Sequence, residues 1–100
     1  MKFEQLSAEY VDDYIAEAML GREMEWFHYD VDRQNFAHIM EALPADDTAG
    51  RTEFAQRIRD TSRQMEMVER VYAALQQRIR DPVAHAAAIE RVRAKRDAAG

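Results

Sequence analysis

Eight residues in the second half of the chain, Phe54, Ile58, Thr61, Met65, Val68, Tyr72, Leu75 and Ile79, recur at spacings of 4, 3, 4, 3, 4, 3 and 4. On a helix they form one narrow stripe. A stripe sustained over more than three heptads demands coiled-coil-like packing against another long helix. That partner lies upstream. Ser7 before Ala-Glu-Tyr reads as an N-cap, with Glu9 in the first turn to meet the helix dipole. Helical pattern then runs to about Leu43, where Pro44 and Asp46-Asp47-Thr48 end it. Asp81-Pro82 reads as the cap and first position of a third, shorter helix. The expected architecture is all-α: a long antiparallel helical hairpin with a short third C-terminal helix, in one domain. The predicted helices span about 8–43, 49–80 and 82–96.

Composition agrees with that class. One hundred residues support one modest core, and Ala, Glu, Arg, Gln and Met favour helix. There is no cysteine, which excludes disulfides and thiolate catalysis. No apolar run approaches the ~20 residues needed to cross a bilayer. MKFEQLSAEY lacks the apolar core of a secretory signal, so a cytoplasmic protein is expected.

The first helix does not behave like the second. Tyr10, Val11, Tyr14, Ile15 and Ala18 share one face; Leu20, Met24, Phe27 and Val31 share nearly the opposite one; Phe36, Ile39, Met40 and Leu43 return to the first. Either the helix breaks near Gly21 and again near Asp32–Asn35, or it is continuous and buries both sides. A helical glycine costs only ~1 kcal/mol relative to alanine, which favours continuity.

Net charge is −5, unevenly spread: residues 1–47 carry −9 and residues 48–100 carry +4. Acidic and basic helices pairing along their edges account for this. So does a polar molecule that offers its acidic side to a basic partner. Direct binding to nucleic acid is disfavoured by the net sign.

Glu25, His28, Asp32 and Asn35 form one polar line, and Glu25-x-x-His28 is half of a ferritin-like di-iron motif. Such sites need further carboxylates from other helices, and the second helix offers an apolar stripe instead. A dimer would double the motif, but a solvated line with no bound metal or cofactor explains it more simply. Nor is there a glycine-rich loop or a Ser-His-acid set, and Ser7 and Ser62 are the only serines. The expectation is a non-enzyme.

What remains is the aromatic cluster. If Leu20, Met24, Phe27 and Val31 face the core, then Glu25, Trp26, Tyr29, Asp32 and Arg33 face outward, and aromatics and arginine ringed by charge have the composition of a binding hot spot. Alternatively the third helix covers Trp26 and Tyr29, leaving their polar tips at the rim. On the first reading the partner-binding residues are Glu25, Trp26, Tyr29, Asp30, Asp32 and Arg33, with Asp46 and Asp47 at the turn.

The size, the acidic helical character and the run MKFEQLSAEYVDDYIAEAMLGREMEWFHYDVDRQNF resemble the small phage anti-CRISPR proteins directed at the type I-F surveillance complex, most nearly the sixth of those families. The resemblance implies binding to the assembled CRISPR RNA–protein complex in the host cytoplasm. It places that binding near the junction of the large subunit and backbone subunits, where target DNA is kept from loading. It carries no discrete motif, so the binding residues rest on the exposed-face reading alone. A monomer is expected. The rival expectations are a homodimeric four-helix-bundle interaction protein and a ferritin-like metal-binding dimer using Glu25 and His28.

Overall fold

A computed structural model describes residues 7–99. Three helices account for nearly all of them: α1 (Ala8–Ala42), α2 (Thr48–Gln76) and α3 (Pro82–Ala99). The result is a rod of 63 × 27 × 25 Å.

Each helix starts where its capping chemistry puts it. Ser7 Oγ accepts from Tyr10 N–H at 3.1 Å, and Asp47 Oδ1 accepts from Gly50 N–H at 2.9 Å. Asp81 Oδ1 accepts from Val83 N–H at 3.0 Å, just after Pro82 has set the first helical φ. α1 stops at Ala42, because Leu43 precedes a proline and is extended, with ψ 147°. Arg51 then reaches back and donates to the carbonyls of Leu43 at 3.0 Å and Pro44 at 3.2 Å, which ties the turn down.

α2 ends at Gln76, four residues before the expected boundary. Pre-proline Asp81 cannot stay helical, and the chain must reverse before Pro82. Residues 77–79 therefore tighten into turns, with Arg78 N–H donating to Leu75 C=O at 2.9 Å and Ile79 N–H to Gln76 C=O at 3.2 Å. Ile79 remains half-buried but lies outside the helix. α3 runs three residues further than expected, to Ala99.

The heptad stripe of α2 is the core seam. Thr61, Met65 and Val68 are buried, and Phe54, Ile58, Tyr72 and Leu75 are half-buried. The one polar member, Thr61, satisfies its hydroxyl within the helix by donating to Arg57 C=O at 2.8 Å. Near the hairpin turn Phe36 and Phe54 pack at 6.1 Å between centroids, with the Arg57 guanidinium over both rings at 5.8 and 5.4 Å.

α1 is continuous through Gly21, and it is the central element: α2 and α3 both pack on it, and not on each other. Ala16 and Leu20 form a buried cluster with Ala88 and Val92, both alanines fully excluded from solvent, and Ile89 packs at its edge. Small residues at this contact let α3 approach closely. The charge asymmetry is used at the same junction. Arg91 donates to Asp13 at 2.7 Å and lies 3.8 Å from Glu9, while Arg80 reaches the buried Asp12 at 3.5 Å. The hydrogen bond to Asp13 pushes the Arg91 pKa further up, so that side chain stays cationic.

Met65→Asp puts an unpaired charge in the α1–α2 seam and is expected to cost several kcal/mol. Unchanged thermal stability would mean that α2 packs through another face. Gly21→Ala should act in the opposite direction. A methyl group there meets nothing within 4 Å, so chemical denaturation should show a gain of up to ~1 kcal/mol.

Candidate interaction surface

At ~100° per residue, the α1 residues that meet α2, such as Ile15 and Trp26, lie roughly 110° around the helix from those that meet α3, Ala16 and Leu20. The stripe under α3 continues along α1 at helical spacings of 4, 4, 3 and 4: Ala16, Leu20, Met24, Phe27, Val31. Its first two members are buried. The last three are 56%, 62% and 54% exposed. The change comes where the apolar residues of α3 run out. After Val92 its next positions in register are Arg96 and Ala99, and all that Arg96 offers is an Nη1–Sδ contact of 3.4 Å with Met24.

This reverses the expected orientation of the aromatic segment. Met24, Phe27 and Val31 stand outside the core, whereas Trp26, Tyr29 and Arg33 turn towards α2 and are half-buried. The Trp26 ring meets Phe27 edge-on at 5.4 Å, and its Nε1–H donates to Glu69 of α2 at 3.1 Å. Tyr29 lies over the opposite flank of the seam beside Met67 and Val71. It is α2, not α3, that shelters both aromatics.

Between α1 and α2 on the Phe27 side runs an open groove of about 500 Å³, lined by Arg22, Glu23, Trp26 and Phe27 of α1 and by Val68, Glu69 and Tyr72 of α2. Its two carboxylates accept hydrogen bonds from neutral donors: Glu23 from Tyr72 O–H at 3.1 Å, Glu69 from Trp26 N–H. Among the described residues no cation pairs with either, and Arg22 turns its guanidinium to Glu25 at 3.3 Å. Burial, reinforced by the bond to Glu23, pushes the Tyr72 phenol above its ordinary value, so it remains a proton donor at neutral pH.

The other expected site residues do not gather here. Glu25 is half-buried beside Arg22, and Asp30 binds Arg33 at 2.7 Å and Gln34 at 3.0 Å. His28, Asp32 and Asn35 are exposed, on the face of α1 that meets neither helix. No three His or acidic side chains among the described residues are placed to hold a metal ion. Asp46 is exposed in the α1–α2 turn and Asp47 is spent as the α2 cap, roughly 25 Å along α1 from Trp26. No described helix is long and apolar enough to cross a membrane. Compared with protein-family models, curated proteins and solved structures, the chain finds no match in any of the three.

The two neighbouring aromatics should therefore respond differently to truncation. Trp26→Ala removes packing and a cross-helix hydrogen bond, and is expected to cost about 1–3 kcal/mol. Phe27→Ser is expected to stay within about 0.5 kcal/mol of wild type. Parallel urea titrations compare them; a larger loss for Phe27→Ser would place Phe27 in the core.

Proposed function

We propose that the protein acts by binding, without an enzymatic step, as an inhibitor that docks on the type I-F CRISPR RNA–protein surveillance complex and keeps target DNA from loading. The observation that carries this is the bare run Met24, Phe27, Val31. Three large apolar side chains in heptad register contribute little to folding where they stand, and contiguous exposed apolar surface of this kind marks interaction sites. The resemblance of residues 1–36 to the anti-CRISPR proteins supplies the partner: its large subunit and backbone subunits, in the host bacterial cytoplasm.

The charge pattern supports the same reading. A surface that holds DNA is basic. A chain of net charge −5, with the unpaired Glu23 and Glu69 beside the stripe, is drawn to such a surface, and like charge keeps it off DNA itself. The docking face then centres on Phe27 and the Glu23–Glu69 groove, with Glu25, Asp30 and Asp32 contributing to encounter. Trp26 and Tyr29 support the face from within the seam. The rod acts as a monomer, with α3 in place.

A gel-shift assay with purified surveillance complex and labelled target duplex tests this. Wild-type protein should abolish the shifted DNA band, and Phe27→Glu should lose at least ~10-fold in potency, about 1.4 kcal/mol, with its melting unchanged. If saturating wild-type protein leaves DNA loading intact, the proposed partner is wrong.

A further inference from the structure

The Phe27 groove has a shape, a polarity and a register, and together they describe what fits into it. We infer that its occupant is an amphipathic helix of the partner, apolar on one face and carrying lysine or arginine along the flank that faces α2. This rests on the reading that the groove is the docking surface, and it names the element that docks there.

The register of the stripe suits a helix. Met24, Phe27 and Val31 continue at spacings of 3 and 4 the same α1 stripe on which α3 is already packed through Ala16 and Leu20. Phe27 lines the groove and Met24 and Val31 extend its apolar edge along α1, so a helix lying there meets apolar side chains at helical spacing. α3 itself gives up the position by placing Arg96 and Ala99 where large apolar residues would continue its contact.

The charge of the groove suits a basic helix. Glu23 and Glu69 flank the apolar floor, held by the neutral donors Tyr72 and Trp26. Hydrogen bonds of that kind orient a carboxylate without neutralising it, and each retains acceptor capacity for a cation. Arg22 also lines the groove, but its Nη2 lies 3.3 Å from Glu25, so the acids Glu23 and Glu69 still outnumber the one cation there. A second copy of this chain would bring the same two acids into the contact, and like charge opposes it. An acidic or neutral helix leaves Glu23 and Glu69 uncompensated as water is excluded. A basic helix pairs them.

Trp26 is the sole tryptophan and lines the groove, so its emission reports occupancy directly. The probe is an 18-residue amphipathic Leu/Lys peptide free of tryptophan, titrated into the full chain beside its Leu/Glu counterpart. The inference expects a saturable blue shift with the Leu/Lys peptide and at least tenfold weaker binding of the Leu/Glu peptide. Phe27→Ser should bind the Leu/Lys peptide at least tenfold more weakly. Glu69→Gln, which keeps an acceptor for Trp26, should flatten the salt dependence. Equal binding of both peptides, or a response that survives Phe27→Ser, overturns the inference. So does a free protein that sediments as a dimer and becomes a monomer with Phe27→Ser, because the groove then belongs to a second copy. The gel-shift result separates the two proposals. Loss of inhibition in Phe27→Glu with no discrimination between peptides leaves the docking face standing and removes the basic helix. Charge-selective peptide binding without any effect on DNA loading removes the surveillance complex and leaves the groove as a helix receptor.

Discussion

Everything in this rod depends on one helix being buried from two directions. α1 receives α2 along one face and α3 along another, and the two flanking helices never meet. Fold stability is therefore a sum of two separate seams, and each has its own chemistry. The α2 seam is long and apolar on the α2 side, with polar anchors from Trp26 and Tyr72 that fix register. The α3 seam is short and tight, closed by Ala16 against Ala88 and bracketed by Arg91 on Asp13. Because α3 has no large apolar side chain after Val92, the second seam ends while α1 continues. The exposed stripe is the direct consequence.

That geometry makes sense of features that look unrelated in the chain. The acidic first half and basic second half are in part a folding device, since Arg80 and Arg91 both find partners on the first two turns of α1. Further along α1 the acids have other roles: Glu23 holds Tyr72, Asp30 holds Arg33, and Asp32 is free in solvent. Beside the bare apolar surface Glu23 and Glu69 are thus left held by neutral donors, with no cation partner among the described residues. Acidic and apolar together suit a basic, amphipathic partner better than they suit water or nucleic acid.

Much of the fold was legible because its signals are local. The α2 stripe, the caps at Ser7 and Asp81 and the stop at Pro44 each follow from a few neighbouring residues, and each has its expected place. The switching faces of α1 also pointed to two-sided burial. What could not be read was which face met which neighbour around Trp26. Both Leu20–Met24–Phe27–Val31 and Arg22–Trp26–Arg33 keep helical spacing, and the more apolar line was the natural choice for the core. The α2 seam instead accepts the amphipathic line, because Trp26 finds Glu69, while α3 lacks the apolar residues to cover Phe27. The clue lay about seventy residues further along the chain, in Arg96 and Ala99 following Val92. Its meaning depends on the parallel alignment of α3 with α1, which no local pattern encodes. The groove acids Glu23 and Glu69 were invisible for the same reason: they become a pair only across the seam.

The central claim is that one continuous stripe on α1 passes from covered to bare between Leu20 and Phe27. The natural chain has no cysteine, so single Leu20→Cys, Phe27→Cys and Val31→Cys variants can be labelled cleanly with a thiol reagent under native conditions. The account predicts that Phe27→Cys and Val31→Cys react at close to the rate of an unstructured thiol, and that Leu20→Cys is at least a hundredfold slower. Uniform protection at all three positions would contradict it, because another element would then cover the stripe; uniform reactivity would mean that α3 does not dock.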